Sequence, residues 1–263
     1  MIALLLTEQR MTPTKYTNRS SSPVELYHFS LPADEQAYRQ LALADEEWTR
    51  ASRYSHLPSR QLYAFSRRMI RLQLAAKLGL SPSELRFGQG EHGKPFLISS
   101  DEHCSKLHYN LSHSKQQIVL AVSQGREVGV DLEYIHRRND VIRIARHYFS
   151  KRELSELNDL PLGDQKDRFF DLWTLKESYI KAVGRGLALG LANFSFSFDS
   201  CANQVERQVM LDRDAGLLDS VEHWGHRVFA FNEDYRLALT LEKDSEDEPI
   251  EVVEKTLRLE DLL

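Results

Sequence analysis

The chain has 263 residues and a mass of 30.5 kDa, with 41 % hydrophobic and 28 % charged residues, proportions that exclude a mostly disordered or fibrous protein. That length admits one large domain or two modest ones, each able to bury a core. The formal net charge of −5 looks like evidence against a polyanion-binding protein but is misleading, because the charge is uneven: residues 242–263 carry nine acids against three bases, leaving the other 241 residues at +1; no nucleic-acid partner is expected.

Taken in order, "MIALLLTEQR" has a five-residue apolar run with no preceding positive charge and no small-residue cleavage pattern, a poor secretory signal. Nothing further along approaches the ~20 apolar residues of a membrane span. Cys104 and Cys201 lie far apart without metal-ligand spacing, which fits a reducing cytoplasm and neither a disulfide framework nor a zinc site. Residues 58–78 predict the clearest helix, with Leu62, Phe65, Met69, Leu72 and Ala76 on one stripe, Pro58 in the first turn and Gly79 as the cap. Short strands and turns follow in "LRFGQGEHGKPFLI", "LHYNLSHS" and "QQIVLAVS". A second cycle starts near Gln124 and Gly125. It has helical "RNDVIRIARHYFS" and "QKDRFFDLWTLKESYIKAV", then strand-like "LANFSFSFD", "HRVFAFNED" and "YRLALTLE". Helix then strands, twice, predicts an α+β chain of two halves. They span residues 25–123 and 124–241, between an extension over 1–24 and an acidic tail over 242–263.

"VGVDLE", residues 128–133, predicts a strand with Val128, Val130 and Leu132 on one side and Asp131 and Glu133 on the other. Two carboxylates about 7 Å apart on one strand face repel unless a cation sits between them. In "WTLKESYIKAVGRGL", Trp173, Glu177 and Lys181 fall at i, i+4 and i+8 of a helix and share a stripe. Alone, Glu177 and Lys181 read as a surface ion pair and Trp173 as core. Packed on the Asp131 strand, the helix brings a third carboxylate and an ammonium to the first two. That set suits a hard divalent ion and a phosphate, since Mg²⁺ takes a few carboxylates and completes its shell with water and phosphate oxygens.

Gly129-Val130-Asp131-Leu132-Glu133, followed about forty residues later by Trp173-Thr174-Leu175-Lys176-Glu177-Ser178-Tyr179-Ile180-Lys181, closely resembles the signature of the 4′-phosphopantetheinyl transferase superfamily. "KAVGRGL" continues the pattern. Gly93-Lys94-Pro95 and Asn110-Leu111-Ser112-His113-Ser114 extend the resemblance to the larger, surfactin-synthetase-activating type, over about residues 25–241. Tyr109 departs from the usual Phe. The resemblance implies two similar α+β halves related by a pseudo-twofold, each a small antiparallel sheet on a long helix, with coenzyme A in the cleft and a monomeric chain.

It further implies transfer of phosphopantetheine from coenzyme A to a serine of a carrier protein, releasing adenosine 3′,5′-bisphosphate. Asp131, Glu133 and Glu177 would hold Mg²⁺ or Mn²⁺, with Asp131, Glu177 and Lys181 as the catalytic set. Either Glu177 or a metal-bound water would take the serine proton. Coenzyme A would be met by Arg50, Arg53, Lys94, Pro95, Ser112, His113, Lys176 and Lys181, with the two arginines at the 3′-phosphate. Six Lys or Arg between Arg137 and Arg152, against the single acid Asp140, would meet an acidic acyl or peptidyl carrier. Two rivals remain at this point: a metal-dependent hydrolase of nucleotide pyrophosphates on the same carboxylates, and a carrier-binding module with a defunct site.

Overall fold

The structure is a computed structural model that describes residues 22–34, 36–136, 140–198, 207–213, 224–245 and 249–263. Arg137, Arg138 and Cys201 lie outside the described residues, as do 246–248 of the acidic segment. No described helix is long and apolar enough to cross a membrane.

In the N-terminal half, strand β1 (Val24–Ser30) leads to helix α1 (Asp45–Ser52) and the long helix α2 (Leu57–Leu78). A small hairpin, β2 (Phe87–Gln89) and β3 (Pro95–Leu97), then a short helix α3 (Glu102–Ser105), precede strands β4 (Leu107–Ser114) and β5 (Gln117–Gln124). Gly79 ends α2 at φ +66°, a left-handed cap that a side chain would strain. The helix matches its predicted bounds, but its buried stripe turns toward Ala64, Phe65, Met69, Leu74 and Ala75, leaving Leu72 half buried and Ala76 exposed. The rotation accommodates Arg71, buried on α2 with its Nε 2.9 Å from Glu47 of α1.

The C-terminal half opens with β6 (Val128–Tyr134), then helices α4 (Val141–Tyr148), α5 (Lys151–Asp159) and α6 (Leu162–Val183). Strands β7 (Phe194–Phe198), β8 (Arg207–Arg213), β9 (Trp224–Asn232) and β10 (Tyr235–Glu242) follow. Like α2, α6 has 22 residues and a left-handed glycine cap, Gly184 at φ +73°. One sheet runs β6-β10-β9-β8-β7; the other runs β1-β5-β4 with one further strand outside β1. That strand is β11 (Val252–Leu257), parallel to β1 in a register that sets Leu26 beside Glu254 and His28 beside Thr256. The segment read as an acidic tail is therefore part of the N-terminal sheet. Leu262 beyond it is wholly buried in the N-terminal core, and Arg68 donates to the Leu262 and Leu263 carbonyls.

Among the described residues three cores layer the fold. Phe29, Ile118 and Leu120 bury one face of the first sheet against Phe65, Met69 and Leu74 of α2. Phe196, Val228 and Ala238 bury one face of the second against Leu172, Leu175 and Tyr179 of α6. Between the sheets, Val119 and Ala121 of β5 meet Val130 and Leu132 of β6 and Leu237 and Leu239 of β10. Strand alternation then dictates the rest: with Val130 and Leu132 turned to the inter-sheet core, Gly129, Asp131 and Glu133 face α6. Gly129 is the point of closest approach, where an added Cβ would stand 2.1 Å from the Ser178 carbonyl. Small residues on both elements let the helix down onto the strand.

His226 of β9 is buried among Tyr179 and Phe196, its Nδ1 3.0 Å from Thr240 Oγ1. Burial, then the charge of Lys243, pushes its imidazole down to about 3. A histidine held neutral in the fold but free to protonate when unfolded withdraws stability as pH falls from the ordinary value near 6.5 toward 3. At ~1.4 kcal/mol per pH unit, about 2–3 kcal/mol should be lost between pH 6.5 and 4.5. Urea midpoints at the two pH values check this, and His226→Gln, which keeps a partner for Thr240, should flatten the dependence. An equal slope in that variant would place the titration elsewhere.

Candidate active site

The edge strands of the two sheets, β4 and β6, meet at a seam joined by side chains. Asn110, Ser112 and Ser114 alternate along β4 and accept from successive free amides of β6: Val130 N to Asn110 Oδ1 at 2.9 Å, Leu132 N to Ser112 Oγ at 3.1 Å and Tyr134 N to Ser114 Oγ at 3.0 Å. All three side chains are buried, so the seam satisfies both a strand edge and the polar groups that cover it. The Asn-x-Ser-x-Ser spacing at period two carries this signal, but it names no partner strand.

Asp131 stands at the middle of the seam and is 4 % exposed. Its Oδ1 accepts from Ser112 Oγ at 3.0 Å and from Lys181 Nζ at 2.7 Å. Lys181 also donates to Ser112 Oγ at 3.1 Å and to the Val130 carbonyl at 3.2 Å. The stripe on α6 thus reaches β6 as predicted, but Lys181 turns to Asp131 and away from the surface ion pair with Glu177. This answers the like-charge problem of Asp131 and Glu133 in part: an ammonium is already there. Asp131 Oδ2 is buried with no hydrogen-bond partner among the described residues. Glu133 shares the strand face with Asp131 and is half buried. Glu177, also half buried, has its carboxyl held above the usual range by burial and by the charge of Asp131, against the pull of Lys181. Among the described residues no three acidic, histidine or cysteine side chains converge into a ready-made metal cage.

The expected nucleotide contacts divide. Ser112 belongs to the Asp131 cluster. His113, on the opposite face of β4, feels the same groups: burial and then the Lys181 ammonium lower its pKa, with Asp131 acting in the other direction. Lys94, at the end of the hairpin turn beside Pro95, reaches Glu127 at 2.6 Å and the Ala182 carbonyl at 2.6 Å. Arg50 and Arg53 are exposed at the end of α1, with Arg50 over the ring of Tyr63. No hydrogen bond or ion pair among the described residues joins either to Asp131.

Lys176 requires a correction. It is wholly buried, and its Nζ lies 2.8 Å from Glu153, 2.8 Å from the Leu191 carbonyl and 2.6 Å from the Phe194 carbonyl. One residue before Glu177 on a helix is about 100° around the axis, which turns Lys176 into the core of the C-terminal half and away from a substrate. Glu153 in turn completes a capping box with Ser150 at the start of α5 and accepts from Phe196 N at 2.9 Å. Together they tie α5, α6 and β7. Because both partners are 0 % exposed, Glu153→Ala should cost about 3–5 kcal/mol by leaving an ammonium buried and unpaired. A chemical denaturation curve reads this directly; a loss below about 1 kcal/mol would show the pair to be dispensable.

Comparison with known proteins shows the family of the chain. The sequence family described as the 4′-phosphopantetheinyl transferase superfamily matches residues 127–240, and the one described as 4′-phosphopantetheinyl transferase, N-terminal, matches residues 32–125. A 4′-phosphopantetheinyl transferase of Bacillus subtilis is 31 % identical over 209 residues, covering 80 % of this chain and 86 % of that one. The transferase HetI of a Nostoc species is 35 % identical over 170 residues, 64 % of this chain and 71 % of that one. A solved holo-(acyl-carrier-protein) synthase of Bacillus anthracis, in complex with CoA (3′,5′-ADP), aligns over 45 % of this chain and 96 % of its own with 16 % identity and a TM-score of 0.36. The chain belongs to the 4′-phosphopantetheinyl transferase superfamily.

Proposed function

We infer that this chain transfers 4′-phosphopantetheine from coenzyme A to a serine of an apo carrier protein and releases adenosine 3′,5′-bisphosphate. The observation that carries the reading is the seam cluster: Asp131, Lys181 and Ser112 joined where the two halves meet, beside Glu177, in a chain of this family. A buried carboxylate oxygen without a hydrogen-bond partner, on the strand face it shares with Glu133 and near enough to raise the Glu177 pKa, fits a hard divalent cation. Asp131, Glu133 and Glu177 would hold Mg²⁺ or Mn²⁺, with phosphate oxygens completing its shell. When bound, such an ion withdraws charge from the pyrophosphate and orients it.

The residues of the chain divide the remaining work. Lys181, fixed by three acceptors, presents its ammonium where phosphoryl charge builds, and an ammonium held in place needs no reorganisation at that moment. Ser112 keeps Lys181 and Asp131 in register. The incoming serine hydroxyl must lose its proton, and either Glu177 or a water held beside it would accept it. His113, whose pKa burial and then the Lys181 ammonium lower, would offer the nucleotide a hydrogen bond. Arg50 and Arg53 offer guanidinium groups to its 3′-phosphate.

The carrier would dock on α4, where Arg143, Arg146 and His147 are exposed. Reversing Arg143 and Arg146 to Glu should raise KM for an acidic carrier at least several-fold and weaken its salt dependence, because such attraction is screened within about 10 Å at 0.1 M salt. KM for coenzyme A should hold. An unchanged carrier KM at low salt would reduce these arginines to a solvated face. We place the protein in the cytoplasm as a monomer, since one chain supplies both halves. The experiment for the reaction itself compares coenzyme A consumption with and without apo-carrier: transfer requires the carrier, whereas rapid turnover without it would make the chain a pyrophosphate hydrolase.

A further inference from the structure

The hairpin turn between β2 and β3 belongs to the N-terminal half, yet Lys94 reaches across to the other. Its Nζ lies 2.6 Å from Glu127 Oε2, 2.6 Å from the Ala182 carbonyl and 3.3 Å from the Val128 carbonyl, so each ammonium hydrogen has an acceptor. Ala182 lies in the last turn of α6, whose carbonyls have no partner within the helix and form the negative end of its dipole. The lysine stem lies flat on the cap of that helix, where a Cβ on Gly184 would stand 3.0 Å from Lys94 Cδ. Glu127 is gripped on its other oxygen by His108 Nδ1 at 3.1 Å. Burial alone would raise the Glu127 pKa, but the hydrogen bond from His108 and the charge of Lys94 outweigh it and bring it down to about 2. The next residue after Ala182 toward the site is Lys181, bonded to Asp131.

We propose that Glu127 is a positioning residue for the transfer: it fastens Lys94 onto the C-terminal end of α6, and this clasp holds the β2–β3 hairpin at a fixed distance from the helix that carries Glu177 and Lys181. On the functional reading the hairpin would border the bound nucleotide, and the clasp fixes how far it stands from α6. The proposal rests on the functional reading above. It departs from a role for the Lys94 ammonium as a phosphate ligand, and the two arrangements differ in sign at Glu127. With a clasp, neutralising Glu127 loosens the wall and weakens coenzyme A binding. With a phosphate ligand, neutralising Glu127 frees the ammonium and tightens binding.

Glu127→Gln, Lys94→Met and the double variant should be titrated with coenzyme A by calorimetry and assayed for KM and kcat at saturating apo-carrier. Each single substitution is expected to weaken coenzyme A binding by about tenfold, with the effect on KM larger than on kcat. The double variant should be no worse than Lys94→Met, since residues acting as one unit are not additive. Glu127→Asp should recover part of the loss. Unchanged or tighter binding in Glu127→Gln overturns the clasp, as does a double variant whose loss is the product of the singles. A lowered melting temperature with unchanged affinity would make Glu127 merely structural and overturns it equally. Failure of the parent chain to modify any carrier would defeat the functional reading, while the calorimetric titration still decides the clasp.

Discussion

Asp131→Ala is expected to abolish transfer, with a loss well beyond the ~10²-fold that follows removal of one electrostatic group from a preorganised site. Three functions go with this side chain: the oxygen offered to a cation, the anchor of Lys181 and the acceptor for Ser112. Relief of repulsion with Glu133, taken alone and without a cation, would make the substitution stabilising. The structure reverses that expectation, because Lys181 already compensates Asp131, and the alanine would leave a buried seam hydroxyl and an ammonium without their acceptor. A cost of about 1–3 kcal/mol is the expected order. Asp131→Asn separates the effects: the carbonyl oxygen can keep both hydrogen bonds while the charge is lost. It should fold with near-parental stability and remain almost inactive. Asparagine with more than about a tenth of parental kcat would mean that the charge of Asp131 has no part in the chemistry.

Lys181→Gln should lower kcat by about 10²-fold or more. A lysine that merely paired with Glu177 on a helix surface would give up a few tenths of a kcal/mol and no activity. Its observed place is different, 28 % exposed and bonded to a carboxylate that is itself buried, so some stability should go as well, about 1–3 kcal/mol. Lys181→Arg retains the charge, but a planar guanidinium cannot meet Ser112, Val130 and Asp131 in the geometry of a compact ammonium. Partial activity at best is expected. A melt beside the kinetics at a temperature where both variants are folded separates loss of chemistry from loss of fold. Parental kcat in Lys181→Gln would remove this residue from the mechanism.

What could be read in advance follows the range of the interactions. Alternation along residues 128–133 is local, and it placed Asp131 and Glu133 together on the face that meets α6. Pro58 and Gly79 bounded α2 through local backbone chemistry, and the i, i+4, i+8 stripe brought Lys181 to β6. Beyond that helix-on-strand contact, interactions between distant segments were not legible. Ser112 looked like a ligand contact because nothing in "NLSHS" reveals that a second strand edge needs its hydroxyl. Lys176 looked like its neighbours in the motif, and only the burial of Glu153 against it makes it structural; the Ser150–Glu153 capping spacing was a visible sign that α5 starts there, but not that its glutamate is shared. Residues 252–257 read as a tail because an edge strand exposed along most of its length carries charges instead of an alternating apolar pattern. Its pairing with β1 joins opposite ends of the described chain.

The central claim is tested most directly by the intact mass of an apo carrier protein incubated with this chain, coenzyme A and Mg²⁺. The account predicts that the carrier gains one phosphopantetheinyl group on its serine, that adenosine 3′,5′-bisphosphate appears in equal amount, and that excess chelator prevents both. Consumption of coenzyme A with every carrier left at its apo mass would contradict it.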